Sequence, residues 1–159
     1  MAHRKTEKRQ FEDVDPSWKI AIVASMYYKE EIEGLIEGAR TVFAEAGIPD
    51  ANVGVFEAPG SFEVPLLGSA IAEAGSFDAM IGFGIILEGK TTHARLLAES
   101  TASAIMDIQI AYRIPFAFEI LHVNDMDQAR ERCLGPGNKG EEAAQAVLLS
   151  LAQLRRIQS

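Results

Sequence analysis

Cysteine is almost absent: Cys133 is the only one in 159 residues. A lone thiol forms no internal disulfide and holds no metal by itself, so the chain fits a reducing compartment and no metal site is expected. Cys133 reads as a small, partly buried hydrophobe. Long apolar runs are missing too. None approaches the roughly 20 residues of a spanning helix, and the opening Met-Ala-His-Arg-Lys-Thr-Glu-Lys-Arg-Gln has no apolar signal segment. These absences predict a cytoplasmic protein with no membrane partner. Positive charge is in deficit, with 15 Lys and Arg against 23 Asp and Glu and a formal net charge of −8. That balance argues against nucleic acid as a partner. Only Arg4, Lys5, Lys8 and Arg9 make a basic patch, within residues 1–15 that read as a flexible tail. Neither a Gly-x-Gly-x-x-Gly fingerprint nor a nucleotide phosphate loop is read from the chain, so neither a dinucleotide nor a nucleoside triphosphate is expected as ligand.

What is present suffices for one core. Apolar residues make up 48% of the chain at a mean hydropathy of +0.04, and a single domain is expected over 16–159. Residues 19–25 read as a strand buried on both faces. A helix is predicted over 30–46 with Ile32, Leu35, Ile36, Ala39, Val42 and Phe43 on one face, stopped by Gly47-Ile48-Pro49. A second strand at 52–57 is turned by Ala58-Pro59-Gly60-Ser61 into a helix over 62–74. The most apolar strand, 78–87, feeds a long helix whose buried face is expected to carry Leu96, Leu97, Ala104, Ile105 and Ile108. A strand at 115–121, a short helix over 125–132, a Gly135-Pro136-Gly137 break and a helix over 141–156 complete the pattern. This alternation predicts an α/β fold: a three-layer α/β/α sandwich, flavodoxin-like, with a four-stranded parallel sheet and helices on both faces.

An open parallel sheet binds ligands beyond the carboxyl ends of its strands. Here those ends are Met26-Tyr27-Tyr28, Pro59-Gly60-Ser61-Phe62-Glu63, Glu88 to His93, and His122-Val123-Asn124. Aromatic rings, a glycine turn at a helix start, hydroxyls and a histidine suit a flat heterocycle together with an anion. Gly84 to His93 is the sharpest of these segments, because an apolar run empties into glycine, lysine and threonine beside a group that transfers protons near neutral pH.

Three motifs then resemble the lumazine synthase family in order and spacing, over nearly the whole chain from Trp18. They are Pro59-Gly60-Ser61-Phe62-Glu63-Val64-Pro65, the Gly-x-Thr-x-His turn Gly89-Lys90-Thr91-Thr92-His93, and Gly137-Asn138-Lys139-Gly140-Glu141-Glu142-Ala143-Ala144. The resemblance implies condensation of 5-amino-6-ribitylaminouracil with 3,4-dihydroxy-2-butanone 4-phosphate to 6,7-dimethyl-8-ribityllumazine, with no metal or redox cofactor. It implies His93 as the proton-transfer group and Tyr27 as the ring stacked on the pyrimidine. Gly60, Ser61, Phe62 and Glu63 would meet the ribityl chain, and Ile86 and Leu87 the heterocycle through their backbones. Lys90, Thr91, Thr92 and Arg132 would bind phosphate. In the family the residues matching Arg132, Lys139 and Phe118 come from a neighbouring subunit, so a homo-oligomer is implied, a pentamer or multiple of pentamers. Riboflavin synthase is a candidate partner, and the residues before Trp18, with Phe11 and Val14, would add a strand to a neighbour's sheet.

Each assignment has a plainer rival. Tyr27 and Tyr28 also suit a sheet edge, Glu63 the positive end of a helix, Arg132 a solvated charged face, Lys139 a cap, and Phe118 the core. His122, Trp18 and Cys133 carry no functional assignment. The chain also departs from the family's pattern. Tyr28 replaces a common asparagine, Glu88 stands where a basic residue is common, and Ala94-Arg95 replaces a frequent aromatic-acid pair. A scaffold that binds flavin or lumazine without turnover, or that only builds a shell, is the alternative. A receiver-type signalling domain would need acids after its first strand, where Ser25-Met26-Tyr27 stands.

Overall fold

The structure, a computed structural model, describes residues 11–159; the basic patch from Arg4 to Arg9 lies outside them. Four strands form it: β1 (Ile20–Ser25), β2 (Val53–Ala58), β3 (Ala79–Leu87) and β4 (Phe116–Val123). They pair in the order β2-β1-β3-β4, all parallel. The two central strands are covered on both faces, so β1 is buried throughout and β3 up to Ile86. Unbroken apolar runs are what such strands require.

Five helices connect and cover the sheet: α1 (Lys29–Glu45), α2 (Val64–Ala74), α3 (His93–Tyr112), α4 (Met126–Leu134) and α5 (Lys139–Gln158). Period-two alternation along β1 sends Ile20, Ile22 and Ala24 to one side, where they meet Leu35, Ala39 and Phe43 of α1, Cys133 of α4 and Leu148 of α5. Ala21 and Val23 go to the other side with Val64 of α2 and Ile105 of α3. The result is the three-layer sandwich read from the sequence. Gly140 lets α5 approach α1, since a Cβ there would lie 2.0 Å from the Leu35 carbonyl oxygen. Among the described residues no helix is long and apolar enough to cross a membrane.

Three expectations change. Leu96 is 59% exposed rather than buried, because the inner face of α3 runs through Ala94, Thr101 and Ile105, and a residue two places from Ala94 points away. Phe118 is not core: it lies on the edge strand β4, 39% exposed. That strand also runs two residues further than expected and takes in His122 and Val123. Residues 11–19 form turns, with Phe11 and Val14 half-buried against this chain's own core.

Candidate active site

β1 leads through α1 to β2 on one side, and β3 leads through α3 to β4 on the other. The crevice where the winding reverses lies beyond β1 and β3, the place where such sheets bind ligands. A cleft of about 430 Å³ opens there, a size that suits a small molecule. Three strand-end segments wall it. Ser25, Tyr27 and Tyr28 follow β1, Gly60 to Glu63 follow β2, and Ile85 to Leu87, Gly89, Thr91 and His93 continue β3, with Ala94 and Leu97 from α3.

The rings at its mouth are unpacked: Tyr27 is 65% exposed and Phe62 67%. Ser61 is buried on the inner wall, and Gly84 makes room for it, since a Cβ at 84 would lie 2.5 Å from the Ser61 hydroxyl oxygen. Glu63 turns its carboxylate toward the backbone of Gly60. Tyr28 precedes α1 with φ 63° and ψ 60°, a left-handed conformation uncommon for an aromatic residue. Asparagine tolerates that region far better.

The turn after β3 is set by the sheet. The Glu88 N–H donates to the Val123 carbonyl at 2.8 Å, extending the β3–β4 ladder by one bond. Residues 87–93 are exposed, and the His93 N–H donates to the Thr91 hydroxyl at 3.3 Å as α3 begins. Gly84 to Thr91 also has the spacing Gly-x4-Gly-Lys-Thr of a nucleotide phosphate loop, which the sequence reading overlooked. Its first four residues are paired strand, each in register with β4. A phosphate loop needs those residues free to wrap an anion, so the likeness is one of spacing only.

Of the residues singled out from sequence, Tyr27, Gly60, Ser61, Phe62, Glu63, Ile86, Leu87, Thr91 and His93 come together in this cleft. Lys90 and Thr92 lie in the same turn but outside the lining. Phe118, Arg132 and Lys139 are also outside it: Phe118 sits on the edge strand, while Arg132 and Lys139 belong to the helices behind the sheet. Arg132 Nη1 donates to the Gln128 carbonyl at 3.3 Å and forms no ion pair among the described residues. Its neighbour Arg130 is tied to Glu31 and Asp127, each at 3.4 Å. Lys139 holds Glu142 at 2.5 Å. Arg95, beside the histidine, is engaged by Glu99 at 2.8 Å, and that contact raises its pKa.

Ser25 was missed. The alternation that puts Ala21 and Val23 on the α2/α3 side puts Ser25 there as well, at the floor of the cleft. It is buried, and its hydroxyl has no hydrogen-bond partner among the described residues. Behind the sheet, burial pushes the Glu119 carboxyl up to about 7, against the pull of Lys139 and with a push from Glu142. Burial likewise pushes the Cys133 thiol up to about 12, with Glu31 adding to it.

An open sheet that gathers its polar and aromatic groups on strand-end turns, around a cleft at the switch point, is the mark of an α/β enzyme working on small molecules. The chain belongs to the 6,7-dimethyl-8-ribityllumazine synthase family, enzymes of riboflavin biosynthesis, whose sequence profile matches residues 17–155. A 6,7-dimethyl-8-ribityllumazine synthase of Ruthia magnifica subsp. Calyptogena magnifica is 33% identical over 145 residues, covering 87% of each chain. One from Deinococcus deserti is 32% identical over 140 residues, covering 87% of this chain and 90% of its own. A third, from Vesicomyosocius okutanii subsp. Calyptogena okutanii, is 31% identical over 139 residues, covering 84% and 83%.

Proposed function

We propose that this cleft condenses 5-amino-6-ribitylaminouracil with 3,4-dihydroxy-2-butanone 4-phosphate, releasing phosphate, water and 6,7-dimethyl-8-ribityllumazine. The observation that carries the reading is the convergence of Tyr27, Ser61, Phe62, Glu63, Ile86, Leu87 and His93 on one cleft, in a chain of this family. The exposed Tyr27 ring stacks on the pyrimidine, and the backbone at Ile86 and Leu87 meets its polar edge. Gly60, Ser61, Phe62 and Glu63 receive the ribityl chain, with hydroxyl and carboxylate groups to pair its hydroxyls.

Proton movement falls to His93. The amine attacks the ketone carbon, water leaves as the imine forms, phosphate departs, and the ring closes with loss of a second water. Each step needs a group that accepts and returns a proton near neutral pH, as an imidazole does. Lys90, Thr91 and Thr92 offer cation, hydroxyl and N–H donors to the phosphate. Arg132 completes that set from a neighbouring subunit, with Lys139 and Phe118 beside it. Its freedom from ion pairs among the described residues leaves the guanidinium open to an anion.

The assembly follows from this division of labour. A cleft that lacks its own Arg132, Lys139 and Phe118 needs a second copy turned head to tail, and such contacts close into rings. A ring of five in the cytoplasm is our reading, with 16–159 acting as one unit. The test mixes purified protein with both substrates and follows lumazine absorbance. Formation well above the spontaneous rate is expected. A rate equal to the no-enzyme control sinks the proposal.

A further inference from the structure

Glu88 is an awkward residue for a phosphate cradle. It opens the turn that carries Lys90, Thr91 and Thr92, and consecutive Cα atoms are only about 3.8 Å apart, so its carboxylate lies within roughly 10 Å of whatever that turn holds. A single negative charge at such a range opposes a phosphate measurably at a partly exposed site. The structure gives this carboxylate a partner: the Glu88 side chain is in direct contact with Nε2 of His122. Both side chains are about one-third exposed, at 38% and 33%.

The contact spans the sheet where the site is built. His122 is the register partner of Ile86, whose neighbour Leu87 and the following Gly89 both line the cleft with it. Alternation along β4 puts His122 on the same side as Ile120, which packs in the core cluster holding Ile86 and Ala94. The Glu88 N–H is meanwhile fixed to Val123, so main chain and side chain of Glu88 are both drawn toward β4, away from the turn's open side.

We propose that His122 is a positioning residue for the phosphate-bearing substrate: it turns the Glu88 carboxylate toward β4, leaving Lys90, Thr91 and Thr92 free to receive the anion. The inference rests on reading that turn as the phosphate cradle. Glu88 without a partner would face the incoming phosphate as a bare like charge. The same carboxylate held on the His122 imidazole presents that charge away from the phosphate.

KM values for the two substrates, measured separately, test this. His122→Ala is expected to raise the KM for the butanone phosphate about fivefold or more, the size of one unit charge nearby, and to leave the KM for the aminopyrimidine unchanged. The double variant Glu88→Gln with His122→Ala is expected to return to within about twofold of wild type, because the offending charge is gone. A role in packing alone predicts no rescue. Should His122→Ala fail to fold by circular dichroism, His122→Leu serves the same comparison, since it fills a similar volume but offers the Glu88 carboxylate neither a donor nor a charge. An unchanged butanone phosphate KM, an equal rise for both substrates, or no rescue overturns the inference. Lys90→Ala and Arg132→Ala run alongside. If they raise that KM while His122 variants do not, the inference fails alone; if they too have no effect, the cradle reading fails and takes it along.

Discussion

Two residues carry chemistry that a scaffold alone would not choose. Tyr28 holds a left-handed backbone at the cleft wall, and a bulky side chain there costs of order 1 kcal/mol. Tyr28→Asn is therefore expected to stabilise the fold by roughly 1 kcal/mol, read as a higher urea midpoint; a lower midpoint would mean the ring earns its place by packing. Glu119 is the second. Its folded pKa of about 7 exceeds the ordinary 4.5 because burial disfavours the carboxylate. The folded chain thus binds more protons than the unfolded chain between those values, and stability present at low pH is lost as pH rises toward and through 7. Glu119→Gln should match wild type near pH 4 and exceed it at pH 8.5, by at most about 3 kcal/mol after allowance for residual solvent. Equal unfolding curves at pH 8.5 would contradict that. Cys133, inert by burial, needs no role.

At the scale of elements, the joint between α4 and α5 rests on Asn138. Its amide donates to the Gly34 carbonyl at 2.9 Å and the Cys133 carbonyl at 2.8 Å, while its oxygen accepts from the N–H groups of Gly140 at 2.7 Å and Glu141 at 3.3 Å. One side chain caps α5 and ties it to α1 and α4. Asn138→Ala is expected to cost about 2–3 kcal/mol, a lost cap, a lost second bond to Gly34 and the Cys133 carbonyl left without a partner, and thermal unfolding measures it. The same hub explains what the sequence could and could not tell. Strand and helix identities were legible because apolar runs and 3.6-residue stripes are local. The start of α5 was placed at 141 rather than 139 although its cap is local, Asn138 accepting from N–H groups two and three residues on; only its tie to Gly34, 104 residues away, follows no local pattern. Leu96 and Phe118 were misread as core for a related reason: composition marks them apolar, and only the helix phase and the strand order decide what they face. At the site, Ser61 and His93 stood out in motifs, and Tyr27 by its place at the end of the first strand. Ser25 looked like any strand end, and the Glu88–His122 contact joins two segments that no pattern links.

For the whole molecule, the residues singled out from sequence fall on two sides of one sheet. The cleft gathers Tyr27, Ser61, Glu63 and His93 at the switch point, whereas Arg132 and Lys139 stand behind the sheet on α4 and α5. A working site, as proposed above, joins His93 of one chain to Arg132 of the next. The most direct measurement is lumazine formation by His93→Ala, by Arg132→Ala, and by an equal mixture of the two unfolded and reassembled together. Each variant alone is expected to be slowed about tenfold or more. The mixture should recover activity toward the level set by about a quarter of its interfaces, those that by random assembly carry both native groups. A mixture no faster than the mean of its two components, or single variants that keep the wild-type rate, would contradict a site shared between chains.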